Sequence, residues 1–189
     1  LYLKGRYFWN ERNKESLEKS IKYFEEAVKK DPEFALAYSG IADSYAVLVD
    51  HGHIARSEGG RKAHDAAMKA LELDDTLAEA HTSLACILSA EWDWIRAEEE
   101  FAKALRTNPN YMTAHHWYSI HLAYLGRLDE AIREAKIAEE LDPLSPMIHT
   151  YAGIVYFHAR QYDVAKEEFD KALDLDPNFV PTHANLWDL

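Results

Sequence analysis

One line of text recurs along this chain at a fixed interval. AEEEFAKALRTNPNY begins at residue 97, AIREAKIAEELDPLS at 131 and AKEEFDKALDLDPNF at 165, each 34 residues after the last. SIKYFEEAVKKDPEF at 20 is a further copy, and AHDAAMKALELDDTL at 63 is a looser one with Asp75 where the others carry proline. A unit this short cannot bury its apolar face alone. Its copies must stack, each against its neighbours, and that restricts the chain to a repeat architecture.

The copies read as helices. Phe101, Ala104 and Leu105, and again Phe169, Ala172 and Leu173, recur at helical spacing. The opposite face carries i,i+4 pairs such as Glu99 with Lys103, Asp129 with Arg133 and Glu167 with Lys171, which support a solvated helix. The prolines at 109, 143 and 177 end the second helix of a unit, because the residue before proline is pushed out of the helical region. No useful strand-like alternation competes, so the chain reads as all-α with about eleven helices.

A helix–turn–helix period of this length resembles the tetratricopeptide repeat (TPR) family. Tyr38, Ala42 and Tyr45 fill the first-helix places of one unit, and Gly153, Tyr156, Ala165, Phe169, Ala172 and Pro177 fill the places of another. The resemblance covers essentially the whole chain. It implies a right-handed α-solenoid of antiparallel helix pairs, with repeats at about 1–34, 35–77, 78–111, 112–145 and 146–179 and a partial sixth at 180–189. About nine extra residues, within LVDHGHIARSEGG near 48–60, read as an inter-helix loop, and SEGGRK as a flexible turn. The chain reads as a piece of a longer protein, ending inside a first helix whose Leu186 and Trp187 lie on the packing stripe, which makes these two residues candidates for self-association. More narrowly, LYLKGRYFWN, EWDWIRAEEEF and NPNYMTAHHWYSIHLAYLGRLDEA resemble TPR arrays in multidomain prokaryotic regulators, which join such arrays to winged-helix, nucleotide cyclase or kinase domains.

Charge narrows the partners. The formal net charge of −12 argues against direct contact with nucleic acid, which needs clustered Lys and Arg, and it favours a basic or apolar partner over an acidic one. No apolar run is long enough to predict a membrane span. Cys86 is the single cysteine, so no internal disulfide forms. A cytoplasmic location is the expectation, with no cofactor.

The ten histidines invite a metal reading, and the spacing argues against it. In TAHHWYSIH, His116 points about 100° and His121 about 240° around the helix from His115, so the three cannot converge on one ion. His81, His115, His149 and His183 are each 34 residues apart. They form a ladder at the place where the TPR motif tends to hold a large aromatic, and partly buried packing with ring nitrogens bonded to neighbours is the expectation. His51 and His53, with Asp50 in DHGH, are weak metal candidates. Asp93 reads as a helix cap, and Trp92 beside it as an exposed residue open to binding.

The resemblance also implies a working surface, since TPR arrays bind partner segments in a concave groove lined by their first helices. Projected onto this chain, the groove holds Asp43, Thr82, Cys86, His116, Ile120, Tyr124, Thr150, Ile154, Phe157 and His158. The stripe lacks the Lys, Arg and Asn with which chaperone-binding members grip a C-terminal carboxylate. It grades toward apolar and aromatic residues, which suits a segment that buries apolar side chains. The expected function is a non-enzymatic interaction module, a regulatory part of a larger signalling or transcription-regulator protein. Self-association and a histidine-based metal or small-ligand sensor are the alternatives.

Overall fold

The computed structural model describes residues 1–186, and every regular element among them is helical. Two compact units emerge, the first ending at Pro109 and the second beginning at Asn110. The first contains α1 (Tyr2–Asn10), α2 (Lys14–Lys30), α3 (Ala35–Asp50), α4 (Arg56–Leu73), α5 (Ala78–Ala90) and α6 (Trp94–Thr107). The second contains α7 (Met112–Tyr124), α8 (Leu128–Leu141), α9 (Pro146–His158), α10 (Tyr162–Leu175) and α11 (Val180–Leu186). Within each unit consecutive helices pair, and each pair packs on the next: α3 on α5 in the first unit, α7 on α9 in the second.

Buried rings and small residues hold the pairs. Phe24, Phe101 and Phe169 are fully enclosed, each contributing about 1.5–3 kcal/mol of apolar transfer. Ala27, Ala104 and Ala172, one turn further on, are also buried and let neighbouring helices close up. Gly153 extends this logic, since a Cβ there would sit 2.6 Å from the Phe169 ring.

The helix ends repeat as faithfully as the cores. Asp31, Asp74, Asn108, Asp142 and Asp176 each leave the second helix with φ between −134° and −150°. Asp74 does so although Asp75, not proline, follows. The Asp74 carboxylate accepts the Thr76 N–H at 2.9 Å, and Asp31 and Asp176 accept the N–H two residues on in the same way. This side-chain turn terminates the helix, and proline reinforces it. First helices end on a left-handed residue, Gly52, Trp92, Gly126 or Arg160. The next N–H then reaches back to the carbonyl of Leu48, Leu88, Leu122 or Tyr156. Trp92 therefore occupies a backbone conformation that Gly126 adopts without strain.

Two expectations are corrected. The extra residues near 48–60 do not form a long loop. They lengthen α3 and α4, leaving residues 51–55 as the connection, and SEGGRK lies inside α4. Gly59 has a packing role there, since a Cβ would meet Ile54 and Val49 at 2.4 and 2.5 Å. Leu186 is not left uncovered. It packs, partly buried, against the cluster that contains Leu122, Tyr156 and Phe169. Trp187 lies outside the described residues.

Candidate partner-binding surface

In the second unit, α7 and α9 bring together five of the residues read from the sequence. Ile120, Ile154 and Phe157 are half-buried against the Leu122–Val155–Phe169 cluster and form an apolar floor. Tyr124 and His158 are exposed, with ring centroids 6.1 Å apart and planes at 80°. Phe157 also meets the Tyr162 ring of α10 edge-on at 5.6 Å, and Tyr162 is itself half exposed. Sequence reading missed Tyr162; an aromatic at the first position of a second helix was the available signal.

Other projected residues are out of reach, and the reason is chemical. Thr150 is fully buried: its hydroxyl donates to the Pro146 carbonyl at 2.7 Å and shares a 2.5 Å hydrogen bond with Thr182. His116, placed in the groove by the wheel, is 2% exposed, with its ring 4.4 Å from that of Tyr151. In the first unit, Thr82 is buried and bonds the Ala78 carbonyl at 2.8 Å. Asp43 is buried between Arg6 Nη1 at 2.9 Å and Ser83 Oγ at 2.5 Å, tying α1, α3 and α5 together. Burial pushes its carboxyl above the ordinary range, opposed by Arg6 and the Ser83 hydroxyl. These four residues are structural rather than available to a partner. Cys86 borders a cleft of about 50 Å³ with Ala46, Val49, Arg56, Ala63 and Ile87, and burial raises its thiol well above the usual value, so it stays protonated. Trp92 is 75% exposed, its ring 5.7 Å from that of Trp94, while Asp93 caps α6 through the Arg96 N–H.

The histidine ladder is a set of paired contacts between the two helices of a repeat. His81 Nδ1 meets Glu100 at 2.5 Å, His115 Nδ1 meets Glu134 at 2.6 Å and His149 Nδ1 meets Glu168 at 2.7 Å. The Nε2 atoms of His81, His149 and His183 donate to the carbonyls of Asp75, Pro143 and Pro177. The bond to Glu168 raises the His149 pKa against the opposing effect of burial. At Glu168 burial is the largest influence and pushes upward, yet the bonds from His149 and Lys171 hold the carboxyl below its ordinary value.

The DHGH cluster does not assemble a metal site. His51 and His53 stand edge to face with centroids 6.0 Å apart, and burial lowers the His51 pKa. Among the described residues, the triad of His, Cys, Asp or Glu whose donor atoms lie within 4.8 Å of one another is instead Glu139, His149 and Glu168. Glu139 was missed in the sequence, although a carboxylate on a packing stripe was a readable signal.

Geometry and repetition define an all-α helical-repeat protein, a class that works by presenting stacked helices to other proteins. The tetratricopeptide repeat pattern matches residues 83–146 and 119–178, and the chain belongs to that family. It is 30% identical over 122 residues to anaphase-promoting complex subunit 3 of Schizosaccharomyces pombe, covering 61% of this chain and 18% of that protein. It is 26% identical over 159 residues to the transcriptional regulator HilA of Salmonella typhimurium, covering 84% of this chain and 29% of that protein. The chain thus spans less than a third of either relative. A thermophilic TPR protein of Thermus thermophilus has the same fold, with a TM-score of 0.72 at 18% identity, covering 92% of this chain and 90% of that one. Proteins of this fold are generally non-enzymatic scaffolds for protein–protein interaction. Among the described residues, no helix is long and apolar enough to cross a membrane.

Proposed function

We propose that this chain is a non-enzymatic module that binds a segment of a partner protein on the aromatic surface of α7 and α9. The observation that carries the reading is the exposed pair Tyr124 and His158 standing beside the half-buried Ile120, Ile154 and Phe157. Burying these groups under a partner gains apolar transfer energy that the isolated chain forgoes. With a net charge of −12, the chain suits an apolar or basic segment better than an acidic one. Likeness to HilA over 84% of this chain supports a regulatory part in a larger signalling or transcription-regulator protein.

The test is binding to immobilised peptides of apolar, basic and acidic composition. Apolar and basic peptides should bind, and Tyr124→Ala combined with Phe157→Ala should abolish that binding while far-UV circular dichroism stays unchanged. Equal binding by the double variant would remove this surface from consideration.

A further inference from the structure

Position 139 breaks the repeat. The small alanines at 27, 70, 104 and 172 are followed by Val28, Leu71, Leu105 and Leu173, whereas Ala138 is followed by Glu139. A carboxylate thus stands at an apolar packing position, where it costs stability unless something compensates it. Its Oε1 atom is buried without a hydrogen-bond partner. It faces His149 of α9 and Glu168 of α10, and the donor atoms of all three lie within 4.8 Å of one another.

We propose that Glu139, His149 and Glu168 form a binding site for a divalent transition-metal ion, with zinc as the reference case. One imidazole and two carboxylates are a donor set that zinc accepts, with a water completing four-coordination. The surroundings already orient two of the ligands. His149 Nε2 donates to the Pro143 carbonyl at 3.0 Å, which aims Nδ1 at the carboxylates. Lys171 holds Glu168 Oε1 at 2.6 Å and leaves Oε2 facing His149. Four-coordinate zinc at about 2.1 Å from each donor spaces its donors about 3.4 Å apart, so the 2.7 Å contact of Nδ1 with Oε2 opens and donors up to 4.8 Å apart close in, by side-chain shifts of under about 1 Å each. Binding replaces the hydrogen bond between Nδ1 and Oε2 with one metal–nitrogen and one metal–oxygen bond. The Nδ1 proton, and any proton on Glu139, pass to solvent. The His81–Glu100 pair has Leu71 at the place of Glu139 and lacks the third donor, so it serves as a control within the same chain.

Isothermal titration of the chain with zinc chloride tests this, independently of the partner surface. The wild type should show one saturable site whose affinity rises from about pH 6 to about pH 8 as protons are displaced. Glu139→Leu restores the leucine of the other repeats and should keep the helical signal. It should weaken zinc binding at least about 10-fold and abolish the zinc-induced rise in Tm. The variant combining His51→Ala and His53→Ala should bind zinc as the wild type does. No zinc binding by the wild type, unchanged binding by Glu139→Leu, or loss of binding in the His51 and His53 variant would each overturn the proposal.

Discussion

His81 on α5 and Glu100 on α6 are joined by a hydrogen bond of 2.5 Å, and the second ring nitrogen of His81 faces the Asp75 carbonyl at 2.9 Å. A carbonyl oxygen only accepts, so Nε2 is the donor to Asp75, and the ring is held at both nitrogens. Each such pair locks the two helices of a repeat through a charge-assisted bond. Glu100→Ala leaves the buried His81 Nδ1 without its hydrogen-bond partner and should cost about 1–3 kcal/mol in urea unfolding. Removing Glu15 from its exposed pair with Lys19 should leave the urea midpoint unmoved, because that pair is solvated on both sides. Equal effects from the two substitutions would show that the buried pair contributes nothing special.

Glu139 carries a pH signature of its own. Burial first, and then the neighbouring Glu168 carboxylate, raise its pKa from 4.5 to about 7. A raised carboxyl pKa means the folded chain holds a proton that the unfolded chain has released. Stability therefore falls as pH rises from about 4.5 to about 7 and then levels off. Glu139→Leu should remove that loss. In chelator-containing buffer its stability gain should be larger at about pH 8 than at about pH 5. Solvent access to this half-buried group limits the difference to about 1–2 kcal/mol. Thermal unfolding across that range measures it, and a gain independent of pH would show that the carboxyl is not strained.

The pairing of His149 with Glu168 combines two pH dependences of opposite sign. His149 is raised by its hydrogen bond to Glu168, so its contribution is complete below the unfolded value near 6.5 and is lost as pH rises through the higher folded value. Glu168 is held low, so its contribution is present above the ordinary carboxyl range and is lost as pH falls through the lowered value. The pair therefore favours an intermediate pH. A nuclear magnetic resonance titration of His149 should give a midpoint above that of an unfolded reference peptide, and Glu168→Gln should lower it. A midpoint indifferent to that substitution would contradict the bond.

The repeat period carried the helices and their order because each copy restates the same apolar spacing and the same terminating residues. Asp74 shows why even the irregular copy was legible, since its side-chain turn ends the helix without proline. The 48–60 segment was misread because its glycines suggested a loop, whereas Gly59 is needed where Val49 and Ile54 press against the helix. Among the projected groove residues, Tyr124 is exposed and Phe157 half-buried, so both keep accessible surface. The projection failed at Thr82 and Thr150, whose hydroxyls bond to carbonyls four residues back in their own helices. A wheel gives direction but not what a neighbouring helix covers, which is why buried His116 was misassigned.

Two glycines separate steric from conformational demands. A Cβ at Gly153 meets the Phe169 ring at 2.6 Å, so Gly153→Ala must displace an enclosed ring, at about 1–3 kcal/mol. Gly126 has open space around it but a φ of +75°, so Gly126→Ala should cost about 1–2 kcal/mol through the backbone alone. Trimming the ring with Phe169→Leu should relieve the first substitution and leave the second unchanged, which double-mutant unfolding measurements can read.

Asp43 is the sharpest case of a residue that the family resemblance projects into the groove and that the structure buries in an ion pair. Its carboxylate joins Arg6 of α1 to Ser83 of α5 while lying 1% exposed. Removing one member of a buried ion pair strands the other. Asp43→Ala should therefore cost about 3 kcal/mol, toward the low end for such losses because Arg6 retains some access to water. Asp43→Asn keeps an oxygen for the Ser83 hydroxyl and should cost less. If Asp43 instead served a partner, both variants would unfold in urea like the wild type and lose peptide binding. Loss of stability with binding retained at Tyr124 and Phe157 is the expected outcome.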